Sequence, residues 1–184
     1  MAITVGCVYW ITGLSGAGKT TLSRRLSALF RTKNQSVVVL DGDEMRNVLA
    51  GSDSTGYRRD DRLALGHRYA RLARYLGEQG INVVVATISM FDEIYQWNRA
   101  HMTQYIEIFL DVPLEELRRR NSNFVYYPNS PGSSEVAGIG FPIDKPINPE
   151  IRIEWRPGDT PEATFDRVCE QLAALGADNS GSTT

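Results

Sequence analysis

The chain has 184 residues, 42% hydrophobic and 23% charged, which supplies one globular domain with a sizeable core. A formal net charge of −2 excludes the basic surface that nucleic acid or an anionic membrane asks of a main partner. No apolar run nears a membrane span and no basic segment leads into an apolar stretch, which predicts a cytoplasmic protein without a membrane partner.

Val8-Tyr9-Trp10-Ile11 is a short β-branched and aromatic run that reads as the first strand. It leads into ITGLSGAGKT (11–20), where Gly13 to Thr20 have the spacing G-x-x-x-x-G-K-[ST], the P-loop pattern. Gly13, Gly16 and Gly18 let the backbone turn tightly and aim its N–H groups at a polyphosphate. Lys19 can reach the β- and γ-phosphates, and the Thr20 hydroxyl can bind Mg²⁺. Thr21 to Phe30 reads as a helix with Leu22, Leu26 and Leu29 on one stripe. A strand, a glycine loop and a helix N-terminus in succession are the context the motif requires.

Val37 to Leu40 is a second strand, and it ends in Leu40-Asp41-Gly42-Asp43-Glu44-Met45-Arg46. Ligands of open α/β sheets bind beyond such strand ends. One of the two aspartates can orient Mg²⁺ or its waters, and the other can take a proton from an attacking hydroxyl. Arg46, one helical turn after Asp43, can grip an anionic group. The structural alternative is a strand-end turn with a helix N-cap at Asp43.

Asp60 to Gln79 reads as a long helix closed by Gly80. Val83 to Ala86 and Tyr105 to Leu110 are the third and fourth strands, with Tyr95 and Trp97 between them read as helix packing on the sheet. Pro113 opens a helix through Leu114, Leu117 and Arg120. Residues 121–149 hold five prolines and three glycines without periodicity, and read as a lid. Ile151 to Glu154 is a last strand, Thr160 to Leu175 a closing helix, and 177–184 a disordered tail. Apolar strands separated by helices predict an α/β fold of three layers, a mostly parallel sheet with helices on both faces, in one domain over 1–176. Cys7 and Cys169 read as buried, reduced thiols, and His67 and His101 have no metal-ligand pattern.

These residues resemble the adenylylsulfate (APS) kinases, P-loop kinases that phosphorylate the ribose 3′-hydroxyl of adenosine 5′-phosphosulfate. The resemblance runs from about Val8 to Glu154, through GLSGAGKTT (13–21), LDGDEMR (40–46), Asp61-Arg62, GINVVVATIS (80–89), YIEIFLDVPLEELRRR (105–120) and NPEIRIE (148–154). It implies a P-loop NTPase fold, ATP and Mg²⁺ as cofactors, a small-molecule nucleotide substrate and a homodimer. By the same resemblance Gly13, Ser15, Gly16, Ala17, Gly18, Lys19, Thr20 and Thr21 hold ATP, while Thr20 and Asp41 hold the metal. Asp43 becomes the base facing the acceptor hydroxyl, with Arg46 and Arg62 on the nucleotide's anionic end. Asp41 and Ile88 line the acceptor side, and Tyr57 falls where the family carries a base-stacking phenylalanine. Ser89 matches a serine described in the family as phosphorylated. Direct in-line transfer with Ser89 as a substrate contact is the preferred reading, because Mg²⁺ and Lys19 make a covalent relay unnecessary.

The departures from the family pattern lie on the acceptor side. Leu65 stands where an asparagine is usual, and Met90 rather than proline follows Ser89. The lid has Ser122 to Tyr127 in place of a lysine-bearing motif, and Val136 stands where a second stacking phenylalanine is usual. Tyr126, Tyr127 and Phe141 are the candidates to replace that ring. An intact donor side with an altered acceptor side predicts the same chemistry on APS, or on another nucleotide such as cytidine diphosphoramidate. ISMFDEIYQWNR (88–99) leans toward the latter relatives. A non-catalytic nucleotide-binding module is the reading from another class, and Asp43 beside Lys19-Thr20 argues against it.

Overall fold

The structure, a computed structural model, describes residues 5–50, 58–120, 126 and 136–176. Its elements in chain order are β1 (Val8–Thr12), α1 (Lys19–Thr32), β2 (Val37–Asp41), α2 (Gly42–Ala50), α3 (Arg59–Glu78), β3 (Asn82–Thr87), α4 (Asp92–His101), β4 (Tyr105–Asp111), α5 (Leu114–Arg120), β5 (Ile151–Glu154) and α6 (Pro161–Ala174). The strands form one sheet in the order β2-β3-β1-β4-β5, every neighbouring pair parallel.

Alternation along each strand splits the core in two. Tyr9, Ile11, Ile108 and Ile153 face Leu22, Leu26 and Phe30 of α1 and Val168 and Leu172 of α6. Val8, Trp10, Val83 and Val85 face Leu65, Tyr69, Ala70 and Ala73 of α3 and Ile94 of α4. Both faces of the sheet are therefore covered, as continuous apolar strands require. The register sets Thr12 beside Thr87 and Asp41 beside Ala86. The carboxyl ends of β1, β2 and β3 thus meet along one edge.

α1 starts at Lys19, two residues before the expected Thr21, because Gly18 (φ 103°) is its N-cap and the loop's Lys-Thr pair makes the first turn. α2 and α4 gain their bounds only from the structure; the sequence offered a helical turn after Asp43 and helix packing at Tyr95 and Trp97. Within α4, Ile94 and Tyr95 are buried, and the Trp97 ring meets His67 of α3 edge-on at 6.3 Å, so packing is the role of that stretch. Cys7 is buried, but Cys169 is only half-buried on α6, a correction to the expectation for the second thiol.

Of the expected lid, 121–125 and 127–135 lie outside the described residues, as does the expected tail 177–184. The part from 136 to 149 is tied down. Asp144 N donates to Met90 O (3.0 Å), Asp92 N donates to an Asp144 carboxylate oxygen (3.1 Å), and the Tyr95 hydroxyl donates to Asp144 O (3.1 Å). Arg99 reaches Asn148 O (2.9 Å) while pairing with the buried Glu107 (2.8 Å) and with Glu150.

Two glycines mark close approaches. A Cβ on Gly6 would lie 2.2 Å from Ile81 O. Gly6→Ala is expected to lower stability by about 1–3 kcal/mol through overpacking, read as an earlier midpoint in urea unfolding. An unchanged midpoint would contradict the packing of this corner. Gly66 sits in the middle of α3, where glycine is about 1 kcal/mol less favourable than alanine, so its presence there needs a tertiary reason.

Candidate active site

The P-loop follows β1 directly. Gly13, Gly16 and Gly18 all have positive φ, and a Cβ on Gly13 would stand 2.8 Å from Leu110 O. Only glycine lets the loop fold this tightly against β4. Lys19 Nζ donates to Leu14 O (2.9 Å), which holds the ammonium inside the loop. Burial lowers its pKa from 10.5 to about 8, against the opposing pull of Asp43 and Asp41.

Asp41, buried at the end of β2, divides its carboxylate. One oxygen accepts from the Thr20 hydroxyl (2.7 Å), and the other accepts from Asp43 N (3.1 Å). The residue capping α2 is therefore Asp41, not Asp43, and the Asp43 side chain is left for the cavity. The alternative of a helix N-cap at Asp43 is set aside by this hydrogen bond. Among the described residues no group of three or more His, Cys, Asp or Glu is placed to hold a metal. The Thr20 hydroxyl and the Asp41 carboxylate form a hard oxygen pair of the kind that holds Mg²⁺ together with phosphate oxygens.

Two cavities adjoin at these strand ends. One, of about 310 Å³, is lined by Ser15, Gly16, Gly18, Lys19, Thr20, Thr21, Asp41 and Asp43. The other, narrower at about 40 Å³, is lined by Asp43, Arg46, Arg62, Leu65, Ser89, Phe141 and Ile143. Gly42, Asp43, Thr87 and Ile88 belong to both walls, so Asp43 stands at the junction. The first cavity is rimmed by backbone N–H groups, a helix N-terminus and a lysine, which suits a polyphosphate. The second offers two guanidinium groups and apolar side chains, which suits an anion attached to a planar group.

Ser89 is buried, with its Oγ 2.9 Å from the Thr87 Oγ1. Phe141 takes part of the second cavity's wall, with the Arg62 guanidinium 5.7 Å from its ring centre. Of the three candidate replacement rings, Tyr126 is excluded from the acceptor side because its hydroxyl donates to Ser15 O of the P-loop (2.7 Å). Tyr127 and Tyr57 lie outside the described residues. Leu65 is 2% exposed and lines the second cavity, so the departure from asparagine puts a hydrocarbon there. Lys145, the first lysine after the expected lid motif, pairs with Asp111 (2.9 Å).

A third cavity, about 290 Å³, lies on the opposite flank of the P-loop and was missed in the sequence. Thr21, Arg119, Arg120, Trp155 and Thr160 are among its lining residues. Arg119 and Arg120 are both held by Glu116 (2.6 and 2.8 Å), and Arg120 also donates to Gly16 O (3.2 Å). The run Arg118-Arg119-Arg120 in the last turn of α5 was the available signal.

Comparisons with known proteins agree with this geometry. The adenylylsulphate kinase family model matches residues 5–154. The cytidine diphosphoramidate kinase of Campylobacter jejuni is 36% identical over 140 residues, 76% of this chain and 81% of its own. An adenylyl-sulfate kinase of Pseudomonas aeruginosa is 37% identical over 169 residues, covering 90% and 84%. The APS kinase CysC of Mycobacterium tuberculosis, solved with AMPPNP and APS, superposes with a TM-score of 0.78 at 28% identity, covering 92% of this chain and 98% of that one. With a glycine loop, a junction aspartate and two paired cavities already in place, a family match over most of its length makes this chain a member of the adenylylsulphate kinase family.

Proposed function

We propose that the protein transfers the γ-phosphate of ATP to the ribose 3′-hydroxyl of adenosine 5′-phosphosulfate. The observation that carries this reading is the junction itself: Asp43 lies on the shared wall of a polyphosphate cavity and an anion-binding cavity. The P-loop amides and Lys19 cradle the β- and γ-phosphates, and the third cavity takes the adenine of ATP beside Arg119 and Arg120. Thr20 and Asp41 hold Mg²⁺, which when bound neutralises charge on the phosphates. Arg46 and Arg62 fix the acceptor's anionic end, while Phe141 offers a ring for its base. Asp43 accepts the hydroxyl proton as the phosphoryl group leaves ATP. Ser89 already shares a hydrogen bond with Thr87 and lies in the acceptor wall, so its role is contact with the acceptor.

Cytidine diphosphoramidate is the second reading, favoured by Leu65 and Phe141 in the acceptor wall and by the Campylobacter relative. An ADP-coupled assay with each acceptor and with neither separates the two. Acceptor-dependent ADP release is expected with APS. Release only with the cytidine nucleotide would move the assignment, and release with neither would overturn it.

Lys19 adds a pH signature. Free enzyme loses the Lys19 proton near pH 8, whereas bound phosphates stabilise the ammonium. ATP binding is therefore expected to weaken as pH rises through about 8 and to take up a proton there. Titration calorimetry at roughly pH 8.5 in two buffers of different ionisation heat measures the uptake. Equal heats in both would contradict the lysine's role.

A further inference from the structure

A closed ring of contacts surrounds the acceptor wall, and it begins and ends on α3. The Tyr69 hydroxyl donates to Gly42 O at the start of α2 (2.9 Å). A Cβ on Gly42 would meet Thr87 Oγ1 at 3.3 Å. Thr87 Oγ1 is in turn hydrogen-bonded to Ser89 Oγ (2.9 Å), and Ser89 packs on Gly66. Gly66 and Tyr69 are three residues apart and share a face of the helix. A Cβ on Gly66 would meet Ser89 Oγ at 3.0 Å, Ser89 Cβ at 3.2 Å and Ile94 Cδ1 at 3.2 Å. Three simultaneous contacts cannot all be relieved by turning one side chain. φ at Gly66 is ordinary for a helix, so backbone strain does not explain the glycine; the proximity of Ser89 does.

We infer that Gly66 is a positioning residue of the acceptor site, acting through Ser89. By lacking a side chain it lets the 87–89 segment sit against α3, and this sets the separation between Asp43 and Arg46 on α2 and Arg62 on α3. The inference rests on the proposal that this cavity binds the acceptor. The P-loop lies outside the ring, so its amides and Lys19 are out of reach of Gly66. An added methyl group would push Ser89 and Thr87 toward Gly42 and narrow the acceptor cavity, while on the ATP side it would move only the wall at Thr87 and Ile88 that the two cavities share.

Gly66→Ala is the test, because alanine suits a helix better than glycine and the variant will fold. With ATP and the acceptor found in the ADP-coupled assay, KM for the acceptor is expected to rise about fivefold or more while KM for ATP stays within about twofold. Ile94→Val deletes the Cδ1 atom, so adding it to Gly66→Ala relieves the α4 contact alone. The acceptor KM is expected to stay high in that double variant. An acceptor KM near wild type in Gly66→Ala, or its recovery on adding Ile94→Val, would overturn the assignment to Ser89. Hydrogen exchange of the ligand-free protein decides the packing without any acceptor: amides of 87–91 are expected to exchange faster in Gly66→Ala, with 13–20 unchanged. Unchanged exchange over 87–91 would overturn the inference even if the kinase reading stands. A wild-type protein that uses neither nucleotide would overturn the kinase reading, and the exchange result would still judge Gly66.

Discussion

Replacing Lys19 with alanine is expected to lower kcat/KM for phosphoryl transfer by roughly 10³-fold or more. Lys19 is the one P-loop side chain that brings a full positive charge to the phosphates, and it does so from a buried position. Charges in such a site act at low effective dielectric, where a fixed cation is worth far more than in water. The hydrogen bond from Nζ to Leu14 O holds the ammonium in place before nucleotide arrives, so little reorganisation remains for the reaction. Alanine removes the charge and this tether but leaves the backbone amides, so weak nucleotide binding will persist while transfer is lost. Quenched-flow measurement with saturating ATP separates the two effects. Turnover within about threefold of wild type would remove the lysine from the mechanism.

Asp43→Asn is expected to lower kcat by at least tenfold, given the roughly 10²–10⁴-fold that general-base catalysis contributes, with KM for ATP nearly unchanged. The amide keeps the shape of the carboxylate and loses its proton affinity. Metal and P-loop contacts survive in this variant, because the carboxylate bonded to the Thr20 hydroxyl belongs to Asp41. The cap of α2 survives as well, since Asp41 accepts from the backbone N–H of residue 43 whatever its side chain. A variant with normal kcat and weakened ATP binding would instead place Asp43 among the metal and nucleotide contacts.

Much of the donor side was legible in the sequence because it is local. Gly13 to Thr20 carries its geometry in eight consecutive residues, and the apolar runs around it set the parallel sheet without further information. Asp41 and Asp43 were readable as a pair, but their division of labour was not. Only the structure reveals that Asp41 is both cap and Thr20 partner, which frees Asp43 for the cavity.

The acceptor side was harder because no stretch of chain encodes it. Gly42, Gly66, Ser89 and Phe141 converge from α2, α3, the end of β3 and a proline-rich connection. Phe141 lies in a segment with no periodicity, and the bonds through Asp144 that hold that segment against the 89–92 loop leave no sequence pattern. Gly66 carries no sequence signal beyond a glycine inside a helical run, and its reason lies in the contact with Ser89. α4 was read through Tyr95 and Trp97 as helix packing, but its ends were not, since aromatic residues suit strands as well as helices. The third cavity needed α5 and the loop before α6 to be brought together across the sheet edge.

Direct passage of the phosphoryl group from the P-loop to an acceptor hydroxyl, across the cavity junction at Asp43, can be followed in a single turnover. ATP labelled in its γ-phosphate is mixed with enzyme in excess, with adenosine 5′-phosphosulfate either present or absent. Label is expected on the acceptor within one turnover, none on the protein, and little inorganic phosphate when the acceptor is left out. Label trapped on Ser89, or released to water at the same rate with and without acceptor, would contradict it.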